Sequence, residues 1–181
     1  MSPLPADLGD GAVLRRLRMD DLDQIWALVE VERERLGEWM PWVQSTKSID
    51  DQRRWLAGVT NDDATLDGCG IFLHGRYVGG TGLRWDPFSV RGEIGYWISS
   101  AEEGRGFVTR AVRALLDVGF GDIGLHRIEI RAGVDNTRSR AIPERLGLVF
   151  EGIERGGERG SSGYYDLAVY AVLEDEWPTT S

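Results

Sequence analysis

The sequence contains a single cysteine, Cys69, so no internal disulfide can form and a cysteine-rich zinc site has no ligands. That scarcity suits a reducing compartment, and Cys69 is most simply a small buried hydrophobe. Histidine is nearly as rare: His74 and His126 stand apart near the ends of strand-like segments, too few for a metal site built on strong ligands. No segment approaches the ~20 apolar residues that cross a bilayer, and the opening MSPLPADLGD has neither the basic start nor the apolar run of a signal peptide. These absences predict a cytoplasmic protein with no metal and no membrane partner. Positive charge is also short: the net charge of -9 argues against a nucleic-acid binder, whose phosphate contacts need the opposite sign, and more easily accommodates a cationic partner. Two nucleotide and nucleophile signatures are missing as well, the Gly-Lys-Ser/Thr ending of a P-loop and the Gly-x-Ser-x-Gly elbow.

What is present is a chain of 181 residues with 41% hydrophobic side chains, enough for one domain with a full core. The expected domain covers residues 11–177, with frayed ends at 1–10 and 178–181. The strand VLRRLR comes first. Asp20 and Asp21 then cap a helix that runs to about Leu36 and stops at Gly37; EWMPWV is expected as an aromatic loop, and Ser48 caps a second helix with Trp55, Leu56 and Val59 on its apolar stripe. After the turn-rich NDDATLDG, the segment GIFLHGRYVGGTGLRW reads as two strands joined near His74. EIGYWIS is a further strand, with Glu93, Gly95 and Trp97 on one face and Ile94, Tyr96 and Ile98 on the other. A helix carrying Val108, Ala111, Val112 and Leu115 follows, then the strand HRIEIRAGV, the short helix NTRSRAIPERLG, and the strands LVFEGIER and YYDLAVYAVL.

The order β-α-α-β-β-β-α-β-α-β-β predicts an α/β (α+β) fold: a mixed, mostly antiparallel seven-stranded sheet flanked by about four helices. Between EIGYWIS and its helix lies EEGRGFVTRA. A strand that turns through Gly-x-Gly into a helix exposes backbone N–H groups at the positive end of the helix dipole, which suits an anion, although glycine turns also arise from geometry alone.

This element order, together with EIGYWIS, EEGRGFVTRA, DNTRSRAIPERLGLVFEG, YYDLAVYAVLEDEW and the early LGEWMPWV, resembles the GNAT superfamily of acetyl-CoA-dependent N-acetyltransferases, and within it the ribosomal-protein N-terminal acetyltransferase branch. The resemblance covers nearly the whole chain. It implies acetyl transfer from acetyl-CoA to a primary amine, the N-terminal α-amine of a protein, and admits a homodimer. It also implies that Gly104, Arg105 and Gly106, with the amides of Phe107, Val108 and Thr109, hold the coenzyme A pyrophosphate. Ala101 departs from the polar residue usual at the first position of that motif.

By the same resemblance the backbone of Trp97 and Ile98 binds pantetheine where two strands splay apart. Asn136 bonds the pantetheine arm, and Ser139 lies near the sulfur, able to give a proton to the departing thiolate; both residues also suit a plain helix cap. Pro143, inside that helix, cannot donate to the carbonyl of Ser139. For the base that takes the amine proton the resemblance points to Glu158, in the expected loop GIERGGERG, with Glu93 second; either can equally be a solvated surface carboxylate. Trp39, Met40, Pro41, Trp42, Tyr96 and Tyr164 are candidates to line the acceptor pocket or to pack in the core, and Glu38, Asp62 or Asp63 to attract a cationic amine. Two other readings stay open: transfer to a small-molecule amine such as an antibiotic, and a non-catalytic acyl-CoA sensor or interaction module.

Overall fold

The segments 66–73 and 77–83 are apolar or glycine on almost every residue, the pattern of strands covered on both faces. The computed structural model, which describes residues 4–61 and 66–178, places them at the centre of one eight-stranded sheet. The elements are β1 (Ala6–Gly9), β2 (Ala12–Arg16), α1 (Leu22–Gly37), α2 (Pro41–Ser45), α3 (Ile49–Asn61), β3 (Leu66–Leu73) and β4 (Arg76–Asp86). They continue with β5 (Arg91–Ile98), α4 (Phe107–Val118), β6 (Arg127–Gly133), α5 (Thr137–Leu146), β7 (Val149–Gly160) and β8 (Gly163–Leu173). The strand order is β1-β2-β3-β4-β5-β6-β8-β7, and β5 with β6 is the parallel pair. The expected mixed, mostly antiparallel sheet is therefore present. One face carries the larger core, where Val108, Ala111, Val112 and Leu115 of α4 meet Leu14, Ile71, Val78 and Ile94. On the other face Ile25 and Val29 of α1 and Leu56 of α3 pack on Phe72 and Tyr77.

Three local features differ from the sequence reading. An eighth strand, β1, occupies residues from the segment expected to fray, with Leu8 buried. Its cause is the pair Asp10-Gly11, both at positive φ (55° and 77°), the conformation of a two-residue hairpin whose twist matches its strands. A fifth helix, α2, replaces part of the aromatic loop because Pro41 occupies its first turn, where a missing N–H costs nothing. Finally, GIERGGERG is not a loop: β7 runs through it to Gly160 and stays paired with β8. Between Glu154↔Leu167 and Glu158↔Tyr165 two extra residues bulge out, with Gly156 at φ 60° absorbing the kink. Cys69, on β3, is buried, and burial pushes its thiol up to about 12, so it stays protonated and inert. No helix among the described residues is long and apolar enough to cross a membrane.

Candidate active site

Strands β5 and β6 pair only from Arg91↔Arg127 to Glu93↔Glu129. Beyond Glu93, β5 continues to Ile98 held by β4, and β6 continues to Gly133 held by β8, so the two part like a wedge. The wedge opens into a cavity of about 990 Å³ that runs from the Gly104–Gly106 turn past Asn136 and Ser139 to Trp39, Glu158 and Tyr165. Trp97 and Ile98 line it. The carbonyl of Ile98 accepts from Arg35 Nη2 on α1, and the Trp97 ring is wedged between Tyr77 and Trp42, 5.9 and 6.3 Å away.

At one end of the cavity Gly104 and Gly106 adopt φ of 75° and 77°, which side chains rarely tolerate, and Gly106 caps α4. The first helical bond is from Arg110 N to Gly106 O, so the N–H groups of Phe107, Val108 and Thr109 precede it and face out of the helix end. Five arginines surround this turn. Arg105 and Arg110 lie over the Phe107 ring at 4.7 and 5.1 Å, Arg145 donates to Thr109 Oγ1 at 3.0 Å, and Arg35 and Arg138 both bind Glu103. Glu102 is buried, which opposes its charge, but hydrogen bonds from Arg76 and Arg105 outweigh burial and hold its carboxyl below the usual range. Ala101 is exposed on the short turn before Glu102 and offers no polar group. Backbone donors and guanidinium groups at this end fit a diphosphate without it.

Midway, Asn136 caps α5: its Oδ1 accepts from Ser139 N at 3.1 Å. Ser139 Oγ lies 3.4 Å from Tyr96 Oη, and that hydroxyl donates to the Ser139 carbonyl at 2.9 Å. Tyr96 lines the cavity, but its polar end is thus committed to α5, and burial pushes its phenol far above the usual tyrosine range.

The far end is shaped by two close approaches. A Cβ on Gly133 would lie 2.5 Å from the Trp39 ring, and one on Gly160 would lie 2.2 Å from the Glu38 carbonyl oxygen, so the α1–α2 corner approaches both positions more closely than a side chain allows without a shift. Ser161 N donates to Gly37 O at 2.9 Å, and Tyr165 Oη to Trp39 O at 2.6 Å, with the Trp39 and Tyr165 rings edge-to-face at 5.3 Å. Burial, aided by the charge of Glu158 across the strand pair, pushes the Tyr165 phenol up to about 12. Glu158 is half-buried in the cavity wall, and its Oε1 accepts from the Arg159 N–H at 3.0 Å. Glu93 also lines the wall, but Arg131 binds its carboxylate at 3.2 Å and reaches Glu154 as well.

The cavity therefore brings together Glu93, Trp97, Ile98, the 104–109 turn, Asn136, Ser139, Glu158, Trp39, Met40 and Tyr96. Trp42, Pro41 and Glu38 do not line it, Tyr164 is 76% exposed on the opposite face of β8, and Asp62 and Asp63 lie outside the described residues. Tyr165 lines the cavity in place of the expected Tyr164, because the alternation of β8 puts it on the same face as Leu167, which also lines the wall. Of the lining arginines only Arg105 was expected; for Arg138 and Arg145, seven residues apart on one helix face, the spacing was the available signal. Among the described residues no group of three or more His, Cys, Asp or Glu side chains could hold a metal ion.

The acetyltransferase (GNAT) domain model matches residues 12–149. The Bacillus subtilis protein named "Putative ribosomal N-acetyltransferase YdaF" is 33% identical over 91% of this chain and 92% of its own length. The Escherichia coli ribosomal-protein-serine acetyltransferase is 27% identical over 77% and 80%. Among solved structures, RimL, a ribosomal L7/L12 alpha-N-protein acetyltransferase in complex with coenzyme A, superposes with a TM-score of 0.86 over 94% of this chain and 98% of its own, at 21% identity. A match over most of the chain, a relative above 30% identity and a cleft of the right shape agree: this chain belongs to the GNAT family of acetyltransferases.

Proposed function

We propose that this N-acetyltransferase carries the acetyl group of acetyl-CoA directly to the N-terminal α-amine of a protein, with ribosomal proteins as the first acceptors to test. The observation that carries the reading is the single cavity with an anion cradle at one end and, at the other, a half-buried carboxylate free of any guanidinium, Glu158. The acceptor class is supported by the name of the Escherichia coli relative, and such an acceptor implies a cytoplasmic enzyme.

Acetyl-CoA supplies an activated thioester, so the protein has only to place it, take one proton and give one. The amides of residues 107–109 and the surrounding arginines hold the diphosphate. The backbone of Trp97 and Ile98, which lines the wedge with the Ile98 carbonyl held by Arg35, runs beside the pantetheine arm and can aim an N–H at the carbonyl oxygen where charge develops, worth a few kcal/mol. Glu158 accepts the proton of the attacking amine, and Ser139 donates to the leaving sulfur, whose thiol pKa near ~8.5 makes modest assistance sufficient. Glu93, with its oxygens occupied by Arg131, serves as wall and charge partner. Trp39, Met40 and Tyr165 give the acceptor an apolar surface with polar rims.

The experiment is to incubate the protein with acetyl-CoA and a panel of N-terminal peptides and small amines, following thiol release. Acetylation of peptides with the highest kcat/KM supports the reading. A preference for small amines replaces the acceptor class, and tight coenzyme binding without turnover on any acceptor rejects catalysis of this kind.

A further inference from the structure

Pro143 stands at the seventh position of α5 and has no N–H, so the carbonyl of Ser139, four residues earlier, lacks the donor that a helix ordinarily supplies. That carbonyl is not left bare. Tyr96 Oη donates to it at 2.9 Å, and the same oxygen lies 3.4 Å from Ser139 Oγ. Among the other ties of this turn, the exposed Arg138 side chain reaches Glu103 beyond the end of β5, and the rest stay local or run toward β8. Asn136 Oδ1 holds Ser139 N at 3.1 Å. Arg140 reaches Val134 O and Tyr170 Oη, each at 2.9 Å, and Tyr170 reaches Glu144 at 2.6 Å. Tyr96, by contrast, stands on β5 beyond Glu93, where β5 has already left β6. Its hydroxyl therefore crosses the wedge, from the arm beside the pantetheine to the helix that carries Ser139.

We propose that Tyr96 is a positioning residue, whose hydroxyl replaces the backbone donor removed by Pro143 and so fixes Ser139 against β5 across the cleft. The proposal rests on Ser139 facing the thioester sulfur, as in the function proposed above. The arrangement has a chemical logic. An intact helical bond would tie Ser139 only to its own helix, whereas the proline exports that bond to the opposite wall, so the distance between wall and hydroxyl is set by one rigid ring. Burial keeps the phenol protonated throughout the working pH range, so Tyr96 remains a donor to the carbonyl and is not itself the acid. Its ring lines the cavity, as a pocket-lining residue would, while its polar end is engaged by α5.

The test is a double-mutant cycle of Tyr96→Phe and Pro143→Ala, because alanine at 143 restores an N–H four residues after Ser139. With acetyl-CoA and an N-terminal peptide, Y96F is expected to lower kcat roughly tenfold to a hundredfold, the cost of a misplaced group, while KM for both substrates changes less than about threefold. In the P143A background, where the carbonyl has a second donor, the same substitution is expected to cost at most about threefold, and the backbone amide gained at position 143 should be protected from hydrogen exchange. Equal costs in the two backgrounds, or a loss that appears in KM for the peptide, would overturn the proposal. Ser139→Ala separates it from the reading beneath it: unchanged kcat in S139A with the coupling intact rejects the acid role and leaves the brace, whereas a slowed S139A without coupling rejects the brace alone. Should no acceptor turn over, or Y96F melt below the assay temperature, the same cycle is read in Tm, where a smaller loss in the P143A background supports the brace and an equal loss rejects it.

Discussion

Replacing Gly160 by alanine tests how the acceptor end is built. The added Cβ would lie 2.2 Å from the Glu38 carbonyl oxygen and 3.1 Å from its carbon, and both belong to backbone at the α1–α2 corner. To reach an ordinary contact the corner must retreat by about 1 Å, which overpacking studies put at ~1–3 kcal/mol. That movement pulls on two bonds that dock the β7–β8 hairpin, Ser161 N to Gly37 O at 2.9 Å and Tyr165 Oη to Trp39 O at 2.6 Å, each worth ~1 kcal/mol. A total near ~3 kcal/mol corresponds to a fall in Tm of roughly 6–12 °C for a chain of this size. Because Trp39, Tyr165 and Glu158 sit on the two sides of that seam, a shift of this size should also cost about 10²-fold in kcat/KM for the acceptor. Gly133→Ala is the internal comparison: its Cβ meets the Trp39 ring, which can swing aside, so acceptor kinetics should suffer while Tm falls by no more than about half as much. Differential scanning calorimetry and steady-state acetylation measure both. A G160A protein with Tm and kcat/KM equal to those of the wild type would refute the argument.

Glu158→Gln should reduce turnover by ~10²-fold, with the deficit growing as pH falls below the α-amine pKa of ~7.8, since the unassisted reaction must wait for the neutral amine; a pH-rate profile parallel to the wild type would move the base elsewhere. Arg145→Ala should raise KM for acetyl-CoA with little change in kcat once saturated, because the residue stands at the anion end on Thr109; a loss confined to kcat would show it acting on chemistry instead. Asp21 and Glu102 have folded-state pKa values below their ordinary ones, so the stability they contribute is present above the unfolded values near 3.8 and 4.5 and is lost as pH falls through the lower folded values. Tm followed from pH 6 down to about 2.5 should therefore drop more steeply in the wild type than in Glu102→Gln, which has already surrendered its part; identical acid slopes would contradict this.

The geometry of the Gly104–Gly106 turn was legible because its signal is local: two glycines between a strand and an apolar stripe dictate positive φ and a bare helix end whatever lies around them. The Asp10-Gly11 hairpin is equally local, but an expectation of fraying at the terminus takes precedence over its turn chemistry when only the sequence is read. Tyr165 is a different case. Strand alternation puts it on the face of Leu167, but that this face of β8 lines the cavity follows from where β5 and β6 part, which neither tyrosine encodes. The same is true of Glu93. Its position on the strand is legible in the sequence, but its engagement with Arg131 arises only where β5 and β6 come side by side.

Net charge proved a poor guide to the cleft. At -9 the chain suggests a cationic partner, yet the cavity wall holds six arginines against four glutamates, the opposite balance, and most of these arginines surround the Gly104–Gly106 turn. Charges screen one another within ~8 Å at physiological salt, so a ligand in the wedge responds to its own lining and not to the sum over the surface. The glutamates explain how so many guanidinium groups remain ordered before any anion arrives. Glu102 gathers Arg76 and Arg105, and Glu103 gathers Arg35 and Arg138, each carboxylate holding two arginines in place. A bound diphosphate can then compete for donors that are already oriented, which lowers the ordering cost of binding. At the other end Glu158 carries no ion pair to an arginine among the described residues and accepts only from the Arg159 N–H. Of the four glutamates in the cavity wall, three are therefore neutralised by arginines and Glu158 alone is not, so the charge a ligand meets changes sign along the cleft.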